Sequence, residues 1–187
     1  MTAPVAPGTG AFDAGRDAIV VRRATDKDAP RLAELARRTF IETFAADNSP
    51  DDMAIHLAQA FGPAVQLGEI RDSNMITLLI EIGPALAGFA QVRRGPTPAC
   101  VTGAAPVEIL RFYVDRPFHG RGVAQRLMRD VEQLARELGH HTLWLGVWEL
   151  NPRAIAFYTK CGFVDVGHQA FILGTEEQTD RVMARAL

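Results

Sequence analysis

Residues 107–139 constrain this chain more than any other segment. An apolar, β-branched run at 107–114 leads through Asp115-Arg116-Pro117-Phe118 into His119-Gly120-Arg121-Gly122-Val123-Ala124. Beyond Gly122 the residues Val123, Ala124, Leu127, Met128, Val131, Leu134, Ala135 and Leu138 keep the i, i+3, i+4, i+7 rhythm of an amphipathic helix. Gly139 can enter the left-handed region without a Cβ penalty, and so stops it. A strand that enters a long helix through two glycines exposes N–H groups at the positive end of the helix dipole, a cradle for phosphate oxygens. Arg121 could add charge, and Ala124 lets a ligand or strand come close. The same spacing also serves as a plain structural turn. It is neither a Walker A loop nor the full G-x-G-x-x-G fingerprint.

The flanking segments read as one alternating series. Residues 1–18 mix Pro, Gly, Ala and Thr without period and are expected to form a flexible tail before a domain spanning 19–187. Ile19-Val20-Val21 begins a strand. Thr25 with Asp28 and Pro30 marks one helix start, and Ser49-Pro50-Asp51-Asp52 marks another. Two apolar segments, 75–82 and 86–93, flank Gly83-Pro84-Ala85 as a hairpin. Residues 142–148 form a strand, Asn151-Pro152 opens a short helix ended by Gly162, and strands follow at 163–173 and 181–187, joined by the polar stretch 174–180. The order is β-α-α-β-β-β-α-β-α-β-β. A helix between the strands at 107–114 and 142–148 suits a parallel crossover, so an α/β fold with a mixed sheet and helices on both faces is expected.

Composition closes off several classes. With 187 residues, about 70% of the unfolded surface can be buried, enough for a core without metal or disulfide. Twenty basic against twenty-two acidic side chains leave a net charge of −2, which supplies no field for nucleic acid. Cys100 and Cys161 are the only cysteines, and the five histidines form no metal-ligand pattern. No segment approaches the roughly 20 apolar residues of a membrane span, and residues 2–18 do not read as a signal peptide, so a cytoplasmic location with no membrane partner is expected.

The x-G-x-G-x-A turn, with its preceding strand and following helix, resembles the acyl-CoA-binding core of GNAT-superfamily N-acetyltransferases. His119 stands where that family has Gln or Arg, Gly122 and Ala124 match, and Gly120 is the commonly added glycine. A second segment, Asn151-Pro152-Arg153-Ala154-Ile155-Ala156-Phe157-Tyr158-Thr159-Lys160-Cys161-Gly162-Phe163, resembles the family's N-x-x-A-x-x-F-Y-x-x-x-G-F. The resemblance implies a mostly antiparallel six- or seven-stranded sheet. It also implies transfer of acetyl from acetyl-CoA, with CoA as product, to a primary amine of a small molecule, polyamine-like or amino-acid-like. A protein or peptide N-acetyltransferase and a non-catalytic acyl-CoA-binding module are the alternatives, and a homodimer is left open.

Carried over residue by residue, the resemblance makes Phe112, Tyr113 and Val114 line the pantetheine arm. The turn from His119 through Gly120, Arg121, Gly122, Val123 and Ala124 to Gln125 would hold the phosphates, and Asn151, Ala154, Phe157 and Tyr158 would complete the cofactor surface. Tyr158 would act as the general acid for the departing thiolate. Glu108, by period two, shares a face with Leu110, Phe112 and Val114, and is the candidate base, with Glu149 and His168 as alternates. Arg153 faces either phosphate or solvent. Cys161 suits a packed core thiol, since direct attack by an amine needs no covalent enzyme intermediate. Glu42, Asp47, Asp51, Asp52 and Glu149 would give the acceptor region its charge, although Asp51 and Asp52 equally suit a helix N-terminus.

Overall fold

The computed structural model describes residues 18–187, so the tail expected at 1–18 lies, but for Ala18, outside the described residues. Seven strands form one sheet in the order β1-β2-β3-β4-β5-β7-β6. They are β1 (Ile19–Arg23), β2 (Met75–Ile82), β3 (Ala85–Arg93), β4 (Pro106–Val114), β5 (Thr142–Trp148), β6 (Val164–Leu173) and β7 (Glu176–Ala186). Every neighbouring pair is antiparallel except β4 and β5. That pair is parallel because α4 (Val123–Glu137) carries the chain back across the sheet between them.

Two layers of helix cover the sheet. On one face α4 inserts Val123, Leu127, Met128, Val131, Leu134 and Ala135 against Leu78, Ile80, Ala90, Val92 and Ile109, and α5 (Pro152–Lys160) adds Tyr158 to the same core. Leu127 is completely buried, and removing its side chain to Ala would cost about 2–5 kcal/mol. On the other face α1 (Ala29–Phe44) lays Leu32, Leu35, Ala36 and Phe40 over Leu79, Phe89 and Leu173, and α2 (Pro50–Ala60) adds Met53. No helix among the described residues is long and apolar enough to cross a membrane.

The cap signals fold as their chemistry dictates. Asp28 accepts from the Thr25 amide at 2.8 Å and hydroxyl at 2.9 Å, and Arg22 grips the same carboxylate with two nitrogens, holding it well below the usual carboxylate range. Ser49 caps α2 by accepting from the Asp52 amide at 3.1 Å.

Two features depart from the sequence reading. A further helix, α3 (Pro63–Arg71), stands between α2 and β2. Its most buried residue is polar: Gln66 is fully buried, Glu69 meets Gln91 and Arg111 at 2.9 and 2.7 Å, and only Ile70 packs on the apolar core, so no apolar period announces it. The polar stretch 174–180 is also not a connector. Only Gly174 and Thr175 turn the chain, with Gly174 at φ +63°, and β7 pairs with β6 from Glu176 onward. Its polar residues mark a strand at the edge of a cavity.

Candidate active site

The cavity arises from a defect in the sheet. β4 and β5 pair only through Pro106, Val107 and Glu108 against Thr142, Leu143 and Trp144, and then separate. The register of β4 with β3 slips at the same place: Ile109 faces Val92 and Arg111 faces Gln91, leaving Leu110 bulged. An extra residue in one strand bends it and increases its twist, which turns β4 away from β5. From Ile109 to Val114 that edge of β4 has no strand beside it. A cavity of about 750 Å³ opens there and runs between the two helical layers, from α1 on one face to α4 and α5 on the other.

The bulge also reverses the side-chain alternation, which corrects the expectation for Glu108. Period two would put it beside Phe112 and Val114. Instead Phe112 and Val114 pack with the α4 core, while Glu108, paired with Arg93, belongs with Arg111 and Tyr113 on the opposite face. Glu108 is 6% exposed, is held by Arg93 Nη2 at 2.6 Å, and is absent from the cavity wall. Burial pushes its pKa up against the pull of Arg93. Glu149 and His168 are exposed and likewise outside the wall.

The expected cofactor residues come together. Phe112, Tyr113, Val114, His119, Gly120, Gly122, Val123, Ala124, Gln125, Asn151, Ala154, Phe157 and Tyr158 all line the cavity; Arg121 does not. Gly120 and Gly122 stand at φ +73° and +78°, backbone that glycine adopts freely, and a Cβ on either would meet nothing within 4 Å. The space above the N-terminus of α4 is therefore open, with its amides facing it.

His119 has a specific structural place. Arg153 Nη2 reaches its Nδ1 at 2.7 Å, and its Nε2 lies 2.6 Å from the Val114 carbonyl. Because guanidinium only donates, Nδ1 accepts and Nε2–H donates. The ring thus ties the end of β4 to α5 across the turn, and Arg153 is turned toward this site.

Tyr158 sits on α5 in a nest of rings, with Phe112 at 6.3 Å, Phe157 at 5.4 Å and Phe163 at 5.8 Å between centroids. Among the described residues nothing hydrogen-bonds its hydroxyl, and burial pushes its pKa well above the usual phenol value. The phenol therefore keeps its proton. Cys161 packs against the same core and burial raises its thiol pKa, as suits a structural cysteine.

Apart from Tyr113, the α1 side carries residues that the sequence motifs do not single out. Phe40, Phe44, Tyr113, Trp148 and Phe171 form its walls, and Phe44 meets Trp148 edge-on at 5.7 Å. Asp180 of β7 projects among them, 9% exposed, with no hydrogen bond or ion pair from any described residue. Burial pushes its pKa up to about 6. It lies over Gly146 of β5, where a Cβ would stand 2.9 Å from Asp180 Oδ2 and 2.6 Å from Gln169 Nε2. Gln178, Asp180, Val182 and Ala184 share one face of β7 at period two, a local pattern that marks the strand face but not the site. Of the acids expected around the acceptor, only Glu42 lines the cavity. Asp52 accepts instead from the Thr175 amide at 2.6 Å and hydroxyl at 2.8 Å, latching α2 to the β6–β7 turn. Gln178 donates to Asn48 beside it.

Residues 30–163 match the acetyltransferase (GNAT) family. An uncharacterised N-acetyltransferase from the pepI 3′ region of Lactobacillus delbrueckii subsp. lactis is 31% identical over 169 residues, covering 90% of this chain and 98% of that protein. The N-alpha-acetyltransferase RimI of Mycobacterium tuberculosis is 28% identical over 155 residues, covering 82% of this chain and 84% of the relative. Among solved structures, PaiA N-acetyltransferase from Thermoplasma acidophilum, crystallised with coenzyme A, superposes with a TM-score of 0.73 at 20% identity, over 91% of this chain and 99% of that one. Parted strands, an open glycine turn at the start of α4 and a match over most of the length agree: the chain belongs to the GNAT family of acetyltransferases.

Proposed function

We propose that the protein transfers acetyl from acetyl-CoA to a small primary amine by direct attack, with Tyr158 as the general acid. The general reaction, acetyl transfer to an amine, follows from the family. The observation that carries it is a cavity through the parted strands with an unpaired, protonated phenol on one side. The open amides at the start of α4 suit the phosphates of CoA, and the bare edge of β4 offers backbone groups to a pantetheine arm. Bound acetyl-CoA supplies an activated thioester. The chain's own part is to hold a proton on Tyr158 beside the sulfur that leaves, and to fix backbone donors where oxyanion charge develops.

A small acceptor is favoured by the roof of the α1 side. The Asp52–Thr175 and Asn48–Gln178 contacts join the α1–α2 junction to the β6–β7 turn across the acceptor half. A peptide terminus, as acetylated by an N-alpha-acetyltransferase, would need that closure to open.

Tyr158→Phe tests the acid. It keeps the volume and the ring contacts, so CoA affinity should stay within twofold of wild type, while the acetyl-transfer step slows by about 10²–10⁴-fold. Pre-steady-state quench separates that step from product release. Transfer at wild-type speed in the variant would reject the assignment.

A further inference from the structure

We propose that Asp180 is the carboxylate that pairs with the incoming ammonium and takes its proton, and that the chamber around it selects an amine carried on an aromatic or other apolar body. This rests on the acetyl-transfer reading and deepens it. The Asp180 carboxylate is 9% exposed and takes no donor from any described residue, so whatever meets its charge must enter through the cavity. It points into the cavity, and Gly146 keeps clear the space its Oδ2 uses. A cationic substrate would supply the missing partner.

Its position also answers a requirement of the chemistry. Asp180 stands on the α1 face with Tyr113, while Tyr158 stands on the α5 face, and the parted strands lie between them. The ammonium gives Asp180 one proton, which passes to solvent, and the freed lone pair forms the C–N bond to the acetyl carbon as the C–S bond breaks. The nitrogen's surplus proton then goes to Asp180 and the sulfur takes one from Tyr158. The two side chains restore their states through solvent, so the sum is amine plus thioester giving amide plus thiol.

The rest of the chamber defines the body of the substrate. Phe40, Phe44, Trp148 and Phe171 offer ring faces and edges, and rings of this kind hold aromatic groups and the flank of a cation. A diamine would need a second acid for its far end, and Glu42 at the exposed mouth is the only other carboxylate on the wall among the described residues. The titratable and charged groups facing this half are Glu42 of α1, His56 of α2 behind Phe40 and Phe171, and Arg111 and Tyr113 of β4.

The experiment uses the full chain, acetyl-CoA and three probes: phenethylamine, cadaverine and a tetrapeptide with a free N-terminus. Wild type should favour phenethylamine more than tenfold in kcat/KM. Asp180→Asn should lower that value by about 10²–10⁴-fold with CoA affinity unchanged. The plot of log kcat/KM against pH should steepen by one below about pH 6 in wild type and not in the variant. Gly146→Ala, whose methyl displaces the carboxylate without removing it, should lower kcat/KM at least tenfold. Preference for cadaverine or the peptide, an Asp180→Asn protein within threefold of wild type, or a steepening that persists and so belongs to His56, would overturn the proposal while leaving acetyl transfer standing. Failure of wild type to acetylate any probe despite binding CoA would remove both.

Discussion

Asp180→Asn should make the protein more stable at neutral pH, which is the reverse of what most buried substitutions do. The wild-type carboxylate pays for its place with lost hydration and receives no donor in return. Burial moves its pKa from an ordinary 3.8 to about 6. At about 1.36 kcal/mol per pH unit, that gap is a penalty of about 3 kcal/mol on the native state. The sign follows from proton binding. Between pH 3.8 and about 6 the native state holds more protons than the unfolded chain, so stability rises as pH falls through that window. The penalty is complete above it and absent below it. Asn keeps the volume and cannot ionise, but its amide enters the same poorly satisfied site at about 1 kcal/mol. The net gain is about 2 kcal/mol at pH 7.5, or about 4–8 °C in Tm for a chain of this size, and near zero at pH 4. Thermal unfolding of both proteins at the two pH values measures it. A variant less stable than wild type at pH 7.5, or a difference that ignores pH, would refute the reasoning.

Gly122→Val should leave a folded protein, since a Cβ there meets nothing within 4 Å and the cost is left-handed strain of about 1–2 kcal/mol. Its side chain would fill the open space before α4, so calorimetry should show sharply weaker CoA binding; affinity within twofold of wild type would remove the turn from the cofactor site. Asp52→Asn should lower Tm at pH 7, because the carboxylate is held below its ordinary pKa by the Ser49 hydroxyl and then by Thr175. A group with a lowered native pKa stabilises above 3.8 and loses that effect as pH falls further, so the deficit should close in acid. A deficit unchanged at low pH would place the role of Asp52 elsewhere.

The parts of the fold legible in the sequence are those whose signal is local. Gly139 and Ser49 announce helix ends by their own chemistry, and the α4 stripe needs no partner to be recognised. α3 is hidden in the sequence because Gln66 and Glu69 face inward, where burial serves hydrogen bonds more than apolar packing. Period two puts Glu108 on the opposite face from the one it occupies, because one bulged residue, Leu110, resets the alternation and a bulge leaves no mark in composition. The residues of the two short motifs meet in one cavity wall, while those on the α1 side of the cavity carry no motif. Asp180, Trp148 and Phe171 meet only through the pairing of β5 and β6 with β7, a long-range register that no single segment encodes.

Acetyl transfer itself is tested by incubating acetyl-CoA and phenethylamine with the wild-type protein and recording free thiol and N-acetyl product in the same samples. Both should accumulate together, one for one, and only when amine, acetyl-CoA and protein are all present. Thiol release without acetylated amine, or no turnover at saturating CoA occupancy, would contradict acetyl transfer through the gap between β4 and β5.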